Sequence, residues 1–315
     1  MKYAEIQSLA RKLTENIGRV MVGREREVEL ILAAMFSGGH ILLEDVPGTG
    51  KTTLAKALSK SLSCAFSRVQ FTPDLLPADV TGMRIFVQQS GTFSFVKGPV
   101  FTNVLLADEI NRATPRTQSA LLECMEEKQV TEGGVTYELD RPFLVIATQN
   151  PVETQGTFPL PEAQLDRFLI RLSLGYPTQA EAVRMMQRFI QANPLSELAP
   201  VAQKEEVAEA SALCQSCAVS EDVMRYMAQL CEAARDPDRV RLGPSPRALL
   251  ALMRACQAMA AIRGRSYVIP DDVKELAVPV LAHRIILRGI SYQHNSETFI
   301  RELLDRVPAP TEERA

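Results

Sequence analysis

The sequence predicts an α/β protein: a parallel sheet with helices on both faces, followed by an all-helical part. Three observations carry this. Short apolar runs at 41–43, 66–71, 104–107, 143–148 and 168–172 read as strands, and several are nearly continuous, as expected of strands covered on both faces. Helical segments separate several of them, the alternation expected of a parallel sheet. After Tyr176-Pro177 helical periodicity dominates, dividing the 315 residues into an α/β part, 1–176, and a helical part, 177–315.

The elements follow in order. Ile6, Leu9, Leu13 and Ile17 fall at helical spacing, and a second helix covers 25–37. Thr114-Pro115 supplies an N-cap and a first-turn proline for a helix running to about Glu127. Two hairpins interrupt the α/β pattern. One pairs 83–88 with 92–97 across Gln89-Ser90-Gly91. The other pairs 129–132 with 135–138 across Gly133-Gly134, a two-residue turn of the kind hairpins favour. Neither is needed to build the sheet, so each is a candidate for partner contact. Helices are expected at 179–192, 204–217, 221–235, 246–264 and 270–287 with no strong strand between them, and 308–315 reads as a frayed tail.

Composition narrows the function classes. The chain is 46% hydrophobic and 23% charged, which is globular, and its net charge of −3 gives no overall attraction to nucleic acid or anionic membrane. No apolar run approaches the ~18 residues of a membrane span, and the first residues lack the apolar core of a signal peptide, so a cytoplasmic location is expected. The six cysteines are scattered. Cys214 and Cys217 form a Cys-x-x-Cys inside an Ala-rich helical pattern. With three histidines in the chain, none near this pair, they read as helix-face residues rather than zinc ligands.

The segment 40–52 carries the strongest chemical signal. A buried strand runs through Glu44 into Asp45-Val46-Pro47-Gly48-Thr49-Gly50-Lys51-Thr52 and on through Thr53 into a helix. Consecutive backbone N–H groups in such a loop, with the positive end of the following helix, grip a phosphate chain. Lys51 would reach the β- and γ-phosphates and the Thr52 hydroxyl would hold Mg²⁺. Asp45 stands where the general pattern has its first Gly, so its side chain is expected to point away from the phosphates.

Further motifs sit at strand ends. The strand 104–107 ends in Asp108 and Glu109, the first suited to organise Mg²⁺ and the second to polarise an attacking water. The strand 143–148 ends at Gln149-Asn150-Pro151, and an amide there can orient that water; Gln149 competes with Asn150 for the task. Arg167, before the last strand, reads either as partner of a carboxylate or as an arginine finger, worth on the order of 10³–10⁵ in rate. Ser245 and Pro246 cap a helix whose first turn holds Arg247. The helix dipole disfavours a cation there, so an anion is expected nearby, a γ-phosphate or a local Glu or Asp.

In this order the motifs resemble the MoxR family of AAA+ ATPases, in the helix-2-insert clade. The likeness covers nearly the whole chain. It rests on the segments 44–52, 71–77, 79–82, 97–101, 106–113, 118–123, 147–151, 161–168 and 245–248. It implies a five-stranded parallel sheet with a helical lid and a hexameric ring with nucleotide at subunit interfaces. By resemblance Lys51 and Thr52 match Walker A, Asp108 and Glu109 Walker B, Asn150 sensor 1, Arg167 the arginine finger and Arg247 sensor 2. Val22-Gly23 resembles the adenine-side contact. The hairpin at 83–97 matches the helix-2 insert and that at 129–138 the pre-sensor-1 hairpin. The cofactors implied are ATP and Mg²⁺. The partners implied are other copies of the chain, a protein client and a von Willebrand factor A domain protein.

Two other functions share these motifs: a nucleic-acid motor of the MCM type and a chelatase motor subunit for metal insertion. A DNA motor is expected to place Lys, Arg or aromatics at the tip of the pre-sensor hairpin, where this chain has Gly133-Gly134 beside Glu132, so nucleic acid is disfavoured. The presence of Lys51, Glu109, Asn150 and Arg167 disfavours a non-catalytic scaffold. No Asn-Lys-x-Asp occurs, which disfavours GTP.

Overall fold

A computed structural model describes residues 1–151, 156–289 and 293–310. Two helices open the chain, α1 (Tyr3–Gly18) and α2 (Glu25–Phe36). The α/β part then runs β1 (Ile41–Glu44), α3 (Lys51–Ser61), β2 (Phe66–Gln70), α4 (Pro77–Thr81), β3 (Gly82–Val87), β4 (Thr92–Lys97), β5 (Val104–Asp108), α5 (Pro115–Glu127), β6 (Gln129–Glu132), β7 (Val135–Glu138), β8 (Leu144–Gln149), α6 (Glu162–Leu165) and β9 (Ile170–Leu172). The helical part contains α7 (Gln179–Gln191), α8 (Lys204–Cys214), α9 (Glu221–Ala233), β10 (Val240–Leu242), α10 (Pro246–Ile262), α11 (Pro270–Leu281), β11 (Ile286–Leu287) and α12 (Gln293–Arg306).

Five strands form one parallel sheet in the order β2-β5-β8-β1-β9. The centre is apolar on both faces, as its sequence requires: Leu42, Leu43, Leu105, Leu106, Val145 and Ile146 are fully buried. Alternation sends these residues to two cores. Ile41, Leu43, Leu106 and Ile146 join α1, α2, α3 and the C-terminal helices, while Leu42, Leu105, Val145 and Ala147 join α4 and α5. The larger core crosses the change of composition at 176/177, so the packing is organised by sheet face.

Both hairpins stand apart from the main sheet, and Gly133 and Gly134 adopt φ of +58° and +77°, the left-handed pair a type I′ turn needs. The helical part departs from expectation in four places, one of them the helix α12 beyond the last helix expected. A short antiparallel pair, β10–β11, lies within it. The helix expected over 270–287 stops at Leu281 and passes into a 3₁₀ turn, Ala282–Arg284. The helix expected over 204–217 stops at Cys214, whose carbonyl accepts from Cys217 N at 3.1 Å, so Cys217 lies in a turn rather than on a helix face. The helix α12 follows this region, and the expected frayed tail falls partly on 311–315, outside the described residues.

Candidate functional site

The chain leaves the C-terminal end of β1 into the loop 45–50. Gly48 and Gly50 hold φ of +87° and +91°, a left-handed backbone that strains any other residue. A Cβ on Gly48 would meet no atom within 4 Å, so this stretch of backbone faces open space. The loop enters α3 with no side-chain cap at Gly50, and the first N–H groups of the helix, including those of Lys51, Thr52 and Thr53, have no acceptor within the helix itself. Lys51 Nζ folds back and donates to Asp45 O at 2.9 Å, and Thr49 Oγ1 donates to Val46 O at 3.4 Å. Met21 Cε lies 3.4 Å from where a Gly50 Cβ would stand, which brings the turn holding Val22 and Gly23 beside the loop.

Asp45 departs from the general phosphate-loop pattern for a reason visible in its contacts. Its carboxylate is buried and turned away from the loop opening. Oδ1 accepts from Ser173 Oγ at 2.8 Å and from Gly175 N at 3.0 Å, and Oδ2 accepts from Leu174 N at 2.6 Å. The residue after β1 therefore receives the backbone leaving β9. Gly175 O in turn accepts from Arg24 Nη2 at 3.4 Å, and Arg24 Nη1 lies 3.7 Å from Glu181 of α7.

The neighbouring strand tips carry the acids. Register aligns Gln70 with Asp108 and Ala107 with Ala147, which sets β2, β5 and β8 side by side at their C-terminal ends. Thr148, fully buried, donates its hydroxyl to Asp108 Oδ1 at 2.7 Å and accepts from Glu109 N at 2.8 Å. Glu109 takes φ of +55°, so the chain turns sharply and the two adjacent carboxyls separate. Asp108 Oδ2 is gripped by Arg68, with Nη2 at 2.7 Å and Nε at 3.2 Å. Glu109 Oε2 accepts from Gln70 Nε2 at 2.8 Å and from Arg112 Nη1 at 3.0 Å. Asn150 directly follows β8, and with Gln149 and Glu44 it lines a cavity of about 390 Å³.

Arg167 and Arg247 lie elsewhere. Both pair with Glu126 at the end of α5: Arg167 Nη2 is 3.1 Å from Oε2, and Arg247 Nη2 binds Oε1. The carboxylate expected near the Arg247 helix start is thus Glu126. Ser245 caps that helix through Ala248 N at 3.1 Å and donates to Asp166 at 2.9 Å. The two arginines line a cavity of about 490 Å³ with Gly38, Gly39 and His40, which precede β1. The loop 45–50 follows β1. The strand between them is four residues long, about 13 Å at ~3.3 Å per residue. The loop, Val22-Gly23, Asp108, Glu109 and Asn150 therefore share one end of the sheet, and Arg167 and Arg247 occupy the other.

Arg68, Gln70 and Thr148 escaped the sequence reading. A usable signal existed: polar residues in otherwise apolar strands, which in a sheet of this kind have reason to be there only near the tips. Among the described residues no cluster of His, Cys, Asp and Glu is arranged to hold a metal without a ligand from outside the chain. Cys214 and Cys217 are buried, and burial pushes their thiols up to about 12 and about 11, which leaves them inert at neutral pH. No helix among the described residues is long and apolar enough to cross a membrane.

The chain has relatives along its whole length. Residues 40–170 match the family described as ATPases associated with various cellular activities, and residues 232–303 match the AAA lid domain. The Bacillus subtilis protein YeaC is 45% identical, covering 100% of this chain and 99% of its own. Chaperone MoxR1 of Mycobacterium tuberculosis is 39% identical over 98% of this chain and 84% of its own. A crystal structure from Cytophaga hutchinsonii, described as that of a candidate ATPase, superposes with a TM-score of 0.88 at 40% identity, covering 98% of this chain and 97% of the other. Sheet order, lid and full-length likeness agree, and the chain belongs to the MoxR family of AAA+ ATPases.

Proposed function

We propose that this chain is a Mg²⁺-dependent ATPase whose catalytic site is completed by a second copy, and that it uses turnover to remodel protein clients. The observation that carries this is the separation of the functional side chains to opposite ends of the sheet. Pro47, Gly48, Thr49, Gly50, Lys51, Thr52 and Thr53 form the phosphate cradle, and the open backbone at Gly48 and the ammonium resting on a carbonyl suit a polyphosphate. Val22 and Gly23 flank its base side. Thr52 and Asp108 are the residues that would hold Mg²⁺, which when bound neutralises phosphate charge. Glu109 polarises the attacking water once Gln70 and Arg112 release it, and Asn150 orients that water. Arg167 and Arg247 are too far from their own loop to reach its phosphates, so they act on those of the next copy, which makes a ring, by resemblance a hexamer, the working form.

The hairpins support a protein client. Met83, Ile85, Phe86, Phe93 and Val96 are exposed on the first hairpin. Its cations are engaged with rings, Arg84 over Phe93 at 5.6 Å and Lys97 over Phe101 at 5.0 Å, which leaves an apolar surface poorly suited to a phosphate backbone. The printed name of the chaperone relative points the same way. A von Willebrand factor A domain partner belongs to the proposal on family resemblance, and co-purification on Glu109→Gln with ATP tests it.

Complementation tests the composite site. Arg167→Ala and Lys51→Ala are each expected to be inactive alone, and mixed rings of the two to recover part of the ATPase rate. Proven mixed rings with no recovery would sink the trans geometry.

A further inference from the structure

The cavity at the far end of the sheet has a charge balance unlike that of the whole chain. Five cationic side chains line it, Lys128, Arg167, Arg247, Arg254 and Arg284, against two carboxylates, Glu126 and Asp166. Asp166 is committed: Arg284 Nε donates to it at 2.7 Å and Ser245 at 2.9 Å. Glu126 is left facing four cations, in a protein whose net charge is −3. Crowding of positive charge is felt at Lys128, whose ammonium is pulled below its usual range by burial first and then by Arg141 and Arg254. Its Nζ donates to a carbonyl, Gly38 O, at 3.4 Å.

Glu126 meets both proposed trans-acting arginines at once, one on each carboxylate oxygen, and all three side chains are partly solvent-exposed. An internal carboxylate so placed occupies the position that suits an incoming anion. It keeps two mutually repelling guanidiniums at one point, and it competes with any phosphate for them. We infer that Glu126 is a placeholder anion: it holds Arg167 and Arg247 convergent in the lone subunit and is displaced when the polyphosphate carried by a neighbouring copy enters the cavity. This rests on the reading of the cavity as the trans half of the ATPase site, and deepens it by naming the residue that sets how readily a neighbour's phosphate is accepted. Lys128 and Arg254, which line the same cavity, then add to the attraction on the incoming phosphate.

Direct anion binding tests this without ring turnover. The full-length chain carrying Lys51→Ala, which disables its own phosphate loop, is titrated calorimetrically with inorganic tripolyphosphate at low salt. The same titration is run with Glu126→Gln added, and again with Arg167→Ala and Arg247→Ala added to that. Removing one negative charge beside the bound anion is expected to tighten binding about tenfold. Loss of the two arginines is expected to abolish it. Equal or weaker binding by Glu126→Gln overturns the placeholder role while leaving the cavity a phosphate receptor. No binding by either protein overturns the phosphate reading and the inference with it. Glu126→Ala is read in the same way and guards against an effect peculiar to the amide.

Discussion

The Thr148 hydroxyl donates to Asp108 and accepts from the Glu109 amide, so one buried atom sets the directions of two adjacent carboxylates. Thr148→Val keeps the shape and removes both bonds, leaving the half-buried Glu109 N–H without this partner, a loss of about 1–3 kcal/mol at the site. ATP turnover is expected to fall tenfold or more, with ATP affinity changed only a few-fold; equal losses in both would place Thr148 in binding instead. Asp45 poses a sharper case. Restoring the general motif with Asp45→Gly would remove the carboxylate that accepts three hydrogen bonds, from Ser173, Leu174 and Gly175. We expect that repair to lower stability by roughly 2–4 kcal/mol, read as a lowered denaturation midpoint, because a buried N–H at Leu174 and a half-buried one at Gly175 lose their partner. The places of Lys51, at the start of α3, and Glu109, just past β5, were legible from local pattern alone. The purpose of Asp45 was not, since its partners lie 128 to 130 positions along the chain.

Secondary elements were legible over most long periodic runs, although α12, fourteen residues long, was not among the helices expected. Strands β6 and β7 match the expected bounds residue for residue, as does α5, and Gly133-Gly134 marked its turn. The pair β10–β11 escaped because runs of three and two residues have no period to detect. The base of the first hairpin shows what pattern alone omits. A Cβ on Gly98 would stand 2.4 Å from Val80 O and 2.5 Å from Gly82 N, and one on Gly82 would stand 2.3 Å from Val96 O. Two backbones cross there with no room for a methyl group. Further out the hairpin leans on its neighbour through Phe95, stacked on Tyr137 with centroids 4.1 Å apart. Gly98→Ala is expected to unseat the β3–β4 hairpin, seen as faster amide exchange over 82–97, with ATP binding retained. Unchanged exchange there would show that the crossing can relax.

For the molecule as a whole, pH reads the burial of His40. Its Nδ1 accepts from Val145 N at 3.0 Å, so its Nε2–H donates to Met125 O at 3.0 Å, tying the start of β1 to β8 and α5. Burial lowers its pKa from 6.5 to about 4, with Met125 O opposing and Lys128 assisting. The folded state therefore disfavours the protonated ring. The contribution is fully present above about pH 6.5 and is lost as pH falls toward about 4, a span worth about 3 kcal/mol. His283, also pushed down by burial, acts in the same direction. Denaturant midpoints at pH 7.5 and 5.0 should show the decline, and His40→Gln should flatten it. A His40 ring titrating near 6.5 in the folded protein would contradict the assignment.

The larger core joins α1 and α2 to the underside of the sheet and to α10, so residues 1–36 and 246–262, which lie on either side of the α/β match at 40–170, are packed as one mass. Calorimetry should accordingly register one cooperative melting transition where the chain's two-part composition suggests two. A fragment cut to 40–170 would keep every phosphate-loop residue and still bare the apolar face carrying Leu43, Leu106 and Ile146. The α/β family match, 40–170, is therefore shorter than the unit its core requires.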